Sequence, residues 1–280
     1  MGSATLADAK MGLLLLNESS WLNLYMYPGE LDYEADYRSQ LDKTRWIRVD
    51  ALVRPSLNLS TDDNDAVNRL ESWRRMKEEN TTLKVIYVSL RTVVSEDMNV
   101  MEMVVSQVIK CQQERPSWHF ALALGRKHDE ICDQFKKRFS EQQNLKSRLI
   151  IRAWWPQPEI LRKQLADACV IHGGNNTFCE ISYFSRPPPA IVVIPGQGDQ
   201  LDNARRVQEF NLGVVLPVAK ILRERCPEIR DNLLLVSLQQ AFELHETARC
   251  RKEIDWERPR LGPSYCAKII HAKLEEERDS

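Results

Sequence analysis

The sequence lacks most of the features that would fix a function at once. No apolar run approaches the roughly 18 residues that a membrane span needs. Met1 to Lys10 has no basic stretch leading into a long apolar one, so no signal peptide is expected. Gly2 has no Ser or Thr four residues on, so myristoylation is not expected either. The seven cysteines are scattered, odd in number and without a Cys-x-x-Cys pair, which argues for a reducing compartment and against a metal site. Cys169 and Cys179 sit in apolar context and read as small core residues. A net charge of −1 gives no electrostatic case for nucleic acid or an anionic membrane. No Gly-x-Gly-x-x-Gly follows the first strand of the regular region described below, which argues against a dinucleotide-binding protein of the NAD type. No Asp-x-Asp stands in a loop suited to a divalent ion, and no histidine precedes His119. The expected compartment is the cytoplasm.

What the sequence does have is a regular alternation. The chain of 280 residues is 43% hydrophobic, enough for one large domain or two small ones. From Leu83 onward, apolar runs alternate with helical patterns. Strands are predicted over Lys84–Ser89, Trp118–Leu124, Arg148–Trp154, Ala168–Ile171, Ala190–Ile194 and Gly213–Leu216. Helices are predicted from Ser95 through Gln113, over His128–Gln143, over Pro158–Leu165 and over Asn203–Asn211. Strands buried on both faces and separated by helices imply a parallel sheet with right-handed crossovers, an α/β doubly wound, Rossmann-like domain. Ahead of it, Ser60-Thr61-Asp62-Asp63 reads as a helix start, with Val67, Leu70, Trp73 and Met76 on one apolar stripe. Residues 11–59 do not look like a complete domain: Gly12–Asn17 and Trp46–Val53 read as strands, and one strand pair buries too little surface to fold alone. Beyond Pro217 the chain reads as helices, with a charged tail from Lys273.

The organising stretch runs from Ala168 to Asn203. A strand leads into His172-Gly173-Gly174-Asn175-Asn176-Thr177, then a helix, then the next strand and the polar loop Pro195–Gln200. A glycine turn that feeds a helix start leaves backbone N–H groups without intrahelical partners and adds the positive end of the helix dipole, an arrangement suited to phosphate. His172 can add an imidazole donor and Thr177 a hydroxyl. Asn176 and Glu180 are four apart and share a helix face, where a carboxylate suits ribose hydroxyls. Asp199 and Gln200 should open on the same sheet edge. Taken singly, each piece reads as readily as ordinary architecture: a tight βα turn, a structural histidine, a glutamate balancing a dipole. The order and spacing of the set point to a nucleotide site.

The same residues resemble a known signature. His172-Gly173-Gly174-Asn175-Asn176-Thr177-x-x-Glu180, followed by Pro195-x-x-x-Asp199-Gln200-x-x-Asn203-Ala204, is similar to the donor-binding motif of UDP-glycosyltransferases. Trp154-Trp155-Pro156-Gln157 resembles that family's Trp-x-Pro-Gln. The resemblance covers residues 80–245 well and residues 11–59 more loosely. It implies the C-terminal half of a GT-B fold with only a remnant of the N-terminal domain: residues 1–60 as remnant and linker, 61–250 as the UDP-sugar-binding domain, 251–280 as a C-terminal helix and charged tail. It also implies roles. Trp154 would stack on uracil, which is worth about 1–3 kcal/mol on the scale of base–aromatic stacking. Gln157 would support the base or ribose, and Glu180 the ribose. His172 and the N–H groups of the turn at Gly174 would hold the diphosphate, with Thr177 on the α-phosphate side; Ser89 and Asn176 complete the donor-binding set, and Asp199 and Gln200 would take sugar hydroxyls. No metal is implied; a helix N-terminus would do the charge work.

Two departures stand out. Ser89-Leu90-Arg91-Thr92 places Arg91 where the family has a glycine; Arg91 either contacts phosphate or crowds the loop. The family's general-base histidine, near the start of its N-terminal domain, has no counterpart here. The expectation is therefore either a hexosyltransferase seen through its donor half, with a small-molecule or lipid acceptor and no nucleic acid, or a nucleotide-sugar-binding remnant that needs a partner chain for its acceptor domain.

Overall fold

A computed structural model of the chain describes residues 23–26, 46–49, 58–90, 98–125, 133–135, 137, 147–185, 188–196, 198–217, 227–248 and 262–278. In chain order the elements are β1 (Asn23–Met26), β2 (Trp46–Val49), α1 (Thr61–Glu79), β3 (Lys84–Ser89), α2 (Met98–Glu114), β4 (Trp118–Ala123) and β5 (Leu149–Arg152). There follow α3 (Gln157–Arg162), β6 (Ala168–Ile171), α4 (Asn175–Phe184), β7 (Ala190–Val193), α5 (Asp199–Glu209), β8 (Gly213–Val215), α6 (Pro227–Ala248) and α7 (Gly262–Arg278). They fall in two units, one drawn from Met1–Leu52 and Pro259–Ser280, the other from Val53–Arg258. Among the described residues no helix is long and apolar enough to cross a membrane.

In the first unit β1 and β2 pair in parallel, Asn23 opposite Trp46 and Met26 opposite Val49, and α7 packs on β2. The strand expected at Gly12–Asn17 lies outside the described residues. β1 was not foreseen, because four residues offer too few alternations for a period-2 pattern to show.

The second unit carries the expected doubly wound sheet, six parallel strands in the order β5-β4-β3-β6-β7-β8. Successive side chains on a strand face opposite ways. On β3, Ile86 and Val88 join the main core, with Phe120 and Leu122 of β4, Val170 of β6 and Val192 of β7. Val104, Val105 and Val108 of α2 and Leu234 and Leu238 of α6 complete it. Val85, Tyr87 and Ser89 belong to the other face, where α1 packs and where α3, α4 and α5 gather. The strand order reverses between β3 and β6, and their register sets Ser89 beside Ile171. A crevice at such a reversal, beyond the carboxyl ends of the strands, is where open α/β sheets bind ligands.

α1 is tied to this sheet at both ends. Ser60 caps it, its Oγ accepting from the Asp63 N–H at 3.1 Å. Arg152, ending β5, donates to Asp62 Oδ2 at 2.6 Å and Asp63 Oδ1 at 2.7 Å. Ala66, Leu70 and Trp73 are buried, Trp73 edge-on to His119 at 4.9 Å, but Met76 is 49% exposed. The inward row runs 66, 70, 73, 77, so the last turn presents Lys77, which pairs with the Asp167 carboxylate. Asp167 also accepts the Val85 N–H at 2.8 Å and lies 3.7 Å from Arg74.

The other boundaries follow the sequence to within a few residues, with one consequential shift. Asp199 and Gln200, expected in a loop, form the first turn of α5. Gly198 is the N-cap, and Asp199 and Asp202 supply negative charge at the dipole's positive end. Of the helix expected over His128–Gln143, Asp133–Phe135 and Lys137 are helical and the rest lies outside the described residues.

Two stability measurements test this account. Asp167→Ala should strand the Val85 N–H and cost about 1–3 kcal/mol in urea unfolding, with Asp167→Asn costing less because it keeps an acceptor. Burial pushes the His119 imidazole below the ordinary histidine range, the Ser117 carbonyl opposing and Arg148 reinforcing the shift. A depressed folded-state pKa means that the neutral ring's contribution is complete above the unfolded value of about 6.5 and is lost as pH falls through the lower folded value. The urea midpoint should therefore drop on acidification through this window, and the drop should shrink in His119→Phe.

Candidate functional site

The residues after β6 form a turn that only small residues allow. Gly173 has φ +85°, and a Cβ there would meet Val193 Cγ1 at 2.8 Å and the Gln200 carbonyl at 3.2 Å. A Cβ on Gly174 would overlap the His172 ring. The turn therefore seats the His172 imidazole, 7% exposed, directly against the backbone that opens α4. Asn203 of α5 holds the turn from behind, its Nδ2 donating to the Gly173 carbonyl at 2.7 Å.

α4 starts at Asn175 with Gly174 as N-cap, which offers no side-chain oxygen. The cap comes from another element: Asp199 Oδ2 accepts the Asn175 N–H at 2.9 Å. The N–H groups of Asn176 and Thr177 have no intrahelical acceptor by helix geometry. Asp199 is thus anchored to the helix start by its carboxylate, whereas Gln200, 5% exposed, turns its Oε1 to the Gly196 N–H at 2.8 Å and holds the loop after β7.

One turn along α4 lies a second polar group. Gln157, first residue of α3 and 1% exposed, donates from Nε2 to Glu180 Oε2 at 2.6 Å and to Thr177 Oγ1 at 3.3 Å. Its Oε1 accepts from Tyr87 Oη at 3.2 Å. Gln157 comes from one motif and Thr177 and Glu180 from another, and the fold joins the two by hydrogen bonds.

The remaining nominees stand as follows. Of the two tryptophans, Trp155 is fully buried, donates Nε1 to the Leu122 carbonyl at 3.1 Å and is a core residue; Trp154 is half-buried. Asn176 is exposed on the first turn of α4. Ser89 is buried in register with Ile171, and its hydroxyl has no hydrogen-bond partner among the described residues. Arg91 lies outside the described residues. Cys169 and Cys179 are buried, and burial pushes the Cys169 thiol far above its ordinary range, which makes it an inert core group.

Sequence reasoning missed Tyr87, and it used Asn203 only as a motif position. A tyrosine inside an otherwise aliphatic strand is a readable signal, because its buried hydroxyl must find a partner. Among the described residues no group of three or more His, Cys, Asp or Glu side chains could hold a metal ion. A cleft of about 290 Å³ lined by Arg74, Lys77, Lys84, Asp167, Phe242 and His245 lies at the opposite, N-terminal edge of the sheet and takes in none of the nominated residues.

The cross-element cap can be tested directly. Asp199→Ala should raise the hydrogen-exchange rate of the first turn of α4 and lower stability by about 0.5–1 kcal/mol, the low end for a cap because Asp199 is exposed. An unchanged exchange rate at Asn175 would contradict the assignment.

Comparison with known proteins points the same way. The family model for UDP-glucoronosyl and UDP-glucosyl transferase matches residues 73–225. Mogroside IIIx synthase of Siraitia grosvenorii is 25% identical over 234 residues, covering 82% of this chain and 46% of that protein. UDP-glucuronosyltransferase 1A9 of Homo sapiens is 32% identical over 111 residues, covering 40% of this chain and 20% of that protein. The chain thus spans about half the length, or less, of the curated relatives it matches. Among solved structures, the glycotransferase of kitacinnamycin superposes with a TM-score of 0.58 at 21% identity, over 91% of this chain and 55% of that one. UDP-glucose: anthocyanidin 3-O-glucosyltransferase in complex with UDP gives 0.52 at 20% identity, over 92% and 54%. The structural likeness carries the GT-B fold alone. The family match, which spans more than half of the sequence and takes in every nominated residue from Ser89 to Gln200, establishes that the chain belongs to the UDP-glucoronosyl and UDP-glucosyl transferase family.

Proposed function

We propose that the chain binds a UDP-sugar in the crevice between β3 and β6 and serves as the donor-binding half of a glycosyltransferase that moves a hexosyl group to an acceptor hydroxyl. One observation carries the reading most: Gln157, Thr177 and Glu180 are hydrogen-bonded together one turn beyond a glycine-bounded helix start that also holds His172. Trp154 stacks on the uracil, and Glu180 with Gln157 meets the ribose. His172, Thr177 and the first N–H groups of α4 meet the diphosphate, near Ser89. Asp199 and Gln200, opening α5 past the turn, face the sugar hydroxyls.

The chemistry follows from where charge develops. Transfer breaks the bond from the sugar's anomeric carbon to a diphosphate oxygen, and the negative charge collects on departing UDP. Donors already fixed toward that position stabilise it without reorganising. The dipole of α4 and the His172 imidazole fill the role that a divalent cation plays elsewhere, so no metal or other cofactor is part of this proposal. A small-molecule or lipid acceptor and a cytoplasmic setting complete the proposal.

One sequence fact favours a second reading. The attacking hydroxyl must give up a proton, and a positioned base contributes about 10²–10⁴-fold. The first histidine of the sequence is His119, which is buried between Trp73 and the sheet. The chain would then be a nucleotide-sugar-binding subunit whose acceptor domain, and base, come from a partner chain.

Calorimetry tests what the two readings share. The chain should bind UDP, and His172→Ala and Glu180→Ala should each weaken it by roughly ten- to a hundredfold, the cost of one charge-assisted hydrogen bond. Equal affinity in all three proteins would remove the proposed site. Robust sugar transfer to an added alcohol by the chain alone would contradict its being only the donor-binding half.

A further inference from the structure

Tyr87 belongs to no motif, yet its position is constrained from every side. Period-2 alternation turns it away from the main core and toward the face where α3 and α4 meet, and it is 1% exposed. Its Oη donates to Gln157 Oε1, and Gln157 Nε2 donates to Glu180 Oε2.

The direction of this relay is fixed by chemistry. A carboxylate only accepts, whereas the two ends of an amide have opposite roles. The 2.6 Å contact to Glu180 therefore requires the Gln157 Nε2 end to face α4. That leaves Oε1 facing Tyr87, so the phenol must donate. A phenylalanine at 87 would leave the buried Oε1 without the partner it has in this structure, and nothing on the β3 side would hold the amide plane against rotation about χ3. Hydrogen bonds in such a chain polarise one another, so loss at one end weakens the other.

We propose that Tyr87 is a positioning residue of the nucleotide site: through Gln157 it fixes the Glu180 carboxylate in the orientation that recognises the ribose diol. The inference rests on the UDP reading above but adds a residue and a direction of control to it. Tyr87 itself touches no ligand. Its influence is confined to ligands that carry the diol, which separates it from a residue that merely shapes the fold.

The experiment compares UDP, 2′,3′-dideoxy-UDP and inorganic pyrophosphate by calorimetry on the unsubstituted chain and on Tyr87→Phe. Tyr87→Phe should weaken UDP about five- to tenfold, the scale of one neutral hydrogen bond, and leave the other two ligands within about twofold. In a Gln157→Met background, Tyr87→Phe should have no further effect on UDP. Uniform loss across the three ligands, or an undiminished effect in the Gln157→Met background, would overturn the relay. Should Tyr87→Phe not fold, Tyr87→Met takes its place in the same comparison: a loss selective for the diol supports the relay and a uniform loss overturns it. Failure of the unsubstituted chain to bind UDP at all would instead remove the proposed function, and the inference with it.

Discussion

The site depends on one pairing, β3 beside β6. The chain builds outward from β3 to β4 and β5 on one side, then crosses back to lay β6, β7 and β8 on the other. A reversal of strand order of this kind opens a crevice beyond the carboxyl ends of the two strands. Most nominated residues take their place from that crossing: Ser89 ends β3, His172 follows β6, and α4 and α5 start beside them from β6 and β7, while Trp154 and Gln157 follow β5. Asp167 secures the other end of the joint, taking the Val85 N–H with its side chain and the Ala190 N–H with its backbone carbonyl at 3.0 Å. A slip of one residue in this register would turn Tyr87 and Ser89 into the main core and bring Ile86 and Val88 to the helices that carry the site.

Polar groups near the crevice come in two kinds. Gln157, Thr177, Gln200 and Asn203 are nine-tenths buried or more, and each is tied to another part of the site. Burying such groups without partners costs more than the bonds return, so a network of this kind stabilises only when it is satisfied throughout. Asn176 and Asp199, by contrast, are exposed at the helix starts. The buried set fixes shape and polarity, and the exposed set is what an arriving ligand meets first. Asp199, though exposed, is also tied in, since its carboxylate occupies one N–H of the helix whose N-terminus would receive a diphosphate. A ligand phosphate and this carboxylate therefore compete for the same electrostatic feature.

Much of this was legible in the residues. The alternation of apolar runs and helical patterns dictated a parallel sheet, and strand ends in such a sheet share an edge. The glycine turn announced itself, because Gly173 and Gly174 stand where a strand must become a helix. What was not legible is what depends on contacts between elements distant in sequence. Asp199 looks like a loop residue because Pro195, Gly196 and Gly198 precede it, and only the fold shows it capping α4 from the start of α5. Met76 continues the three-residue step of the apolar stripe, whereas the packed row steps by four from Trp73 to Lys77. Trp154 and Trp155 were indistinguishable by composition. Their fates differ because Trp155 finds a carbonyl in β4 for its ring N–H. β1 is too short to carry a signal.

The alternation along β3 carries the argument one step further. Ile86 and Val88 serve only the packed core, and shortening either should be felt as lost stability, because a close-packed interior answers to single methylenes. Val85, Tyr87 and Ser89 occupy the other face and do three different things: Val85 gives its N–H to the Asp167 joint, Tyr87 its hydroxyl to Gln157, and Ser89 holds a buried hydroxyl beside the glycine turn. One strand thus separates the two demands on the fold by parity. Residues of one parity keep the sheet together, and those of the other pass from anchoring through positioning to the crevice within five residues, Val85 to Ser89. A single short strand does both, because period 2 places the two sets back to back on a rigid support.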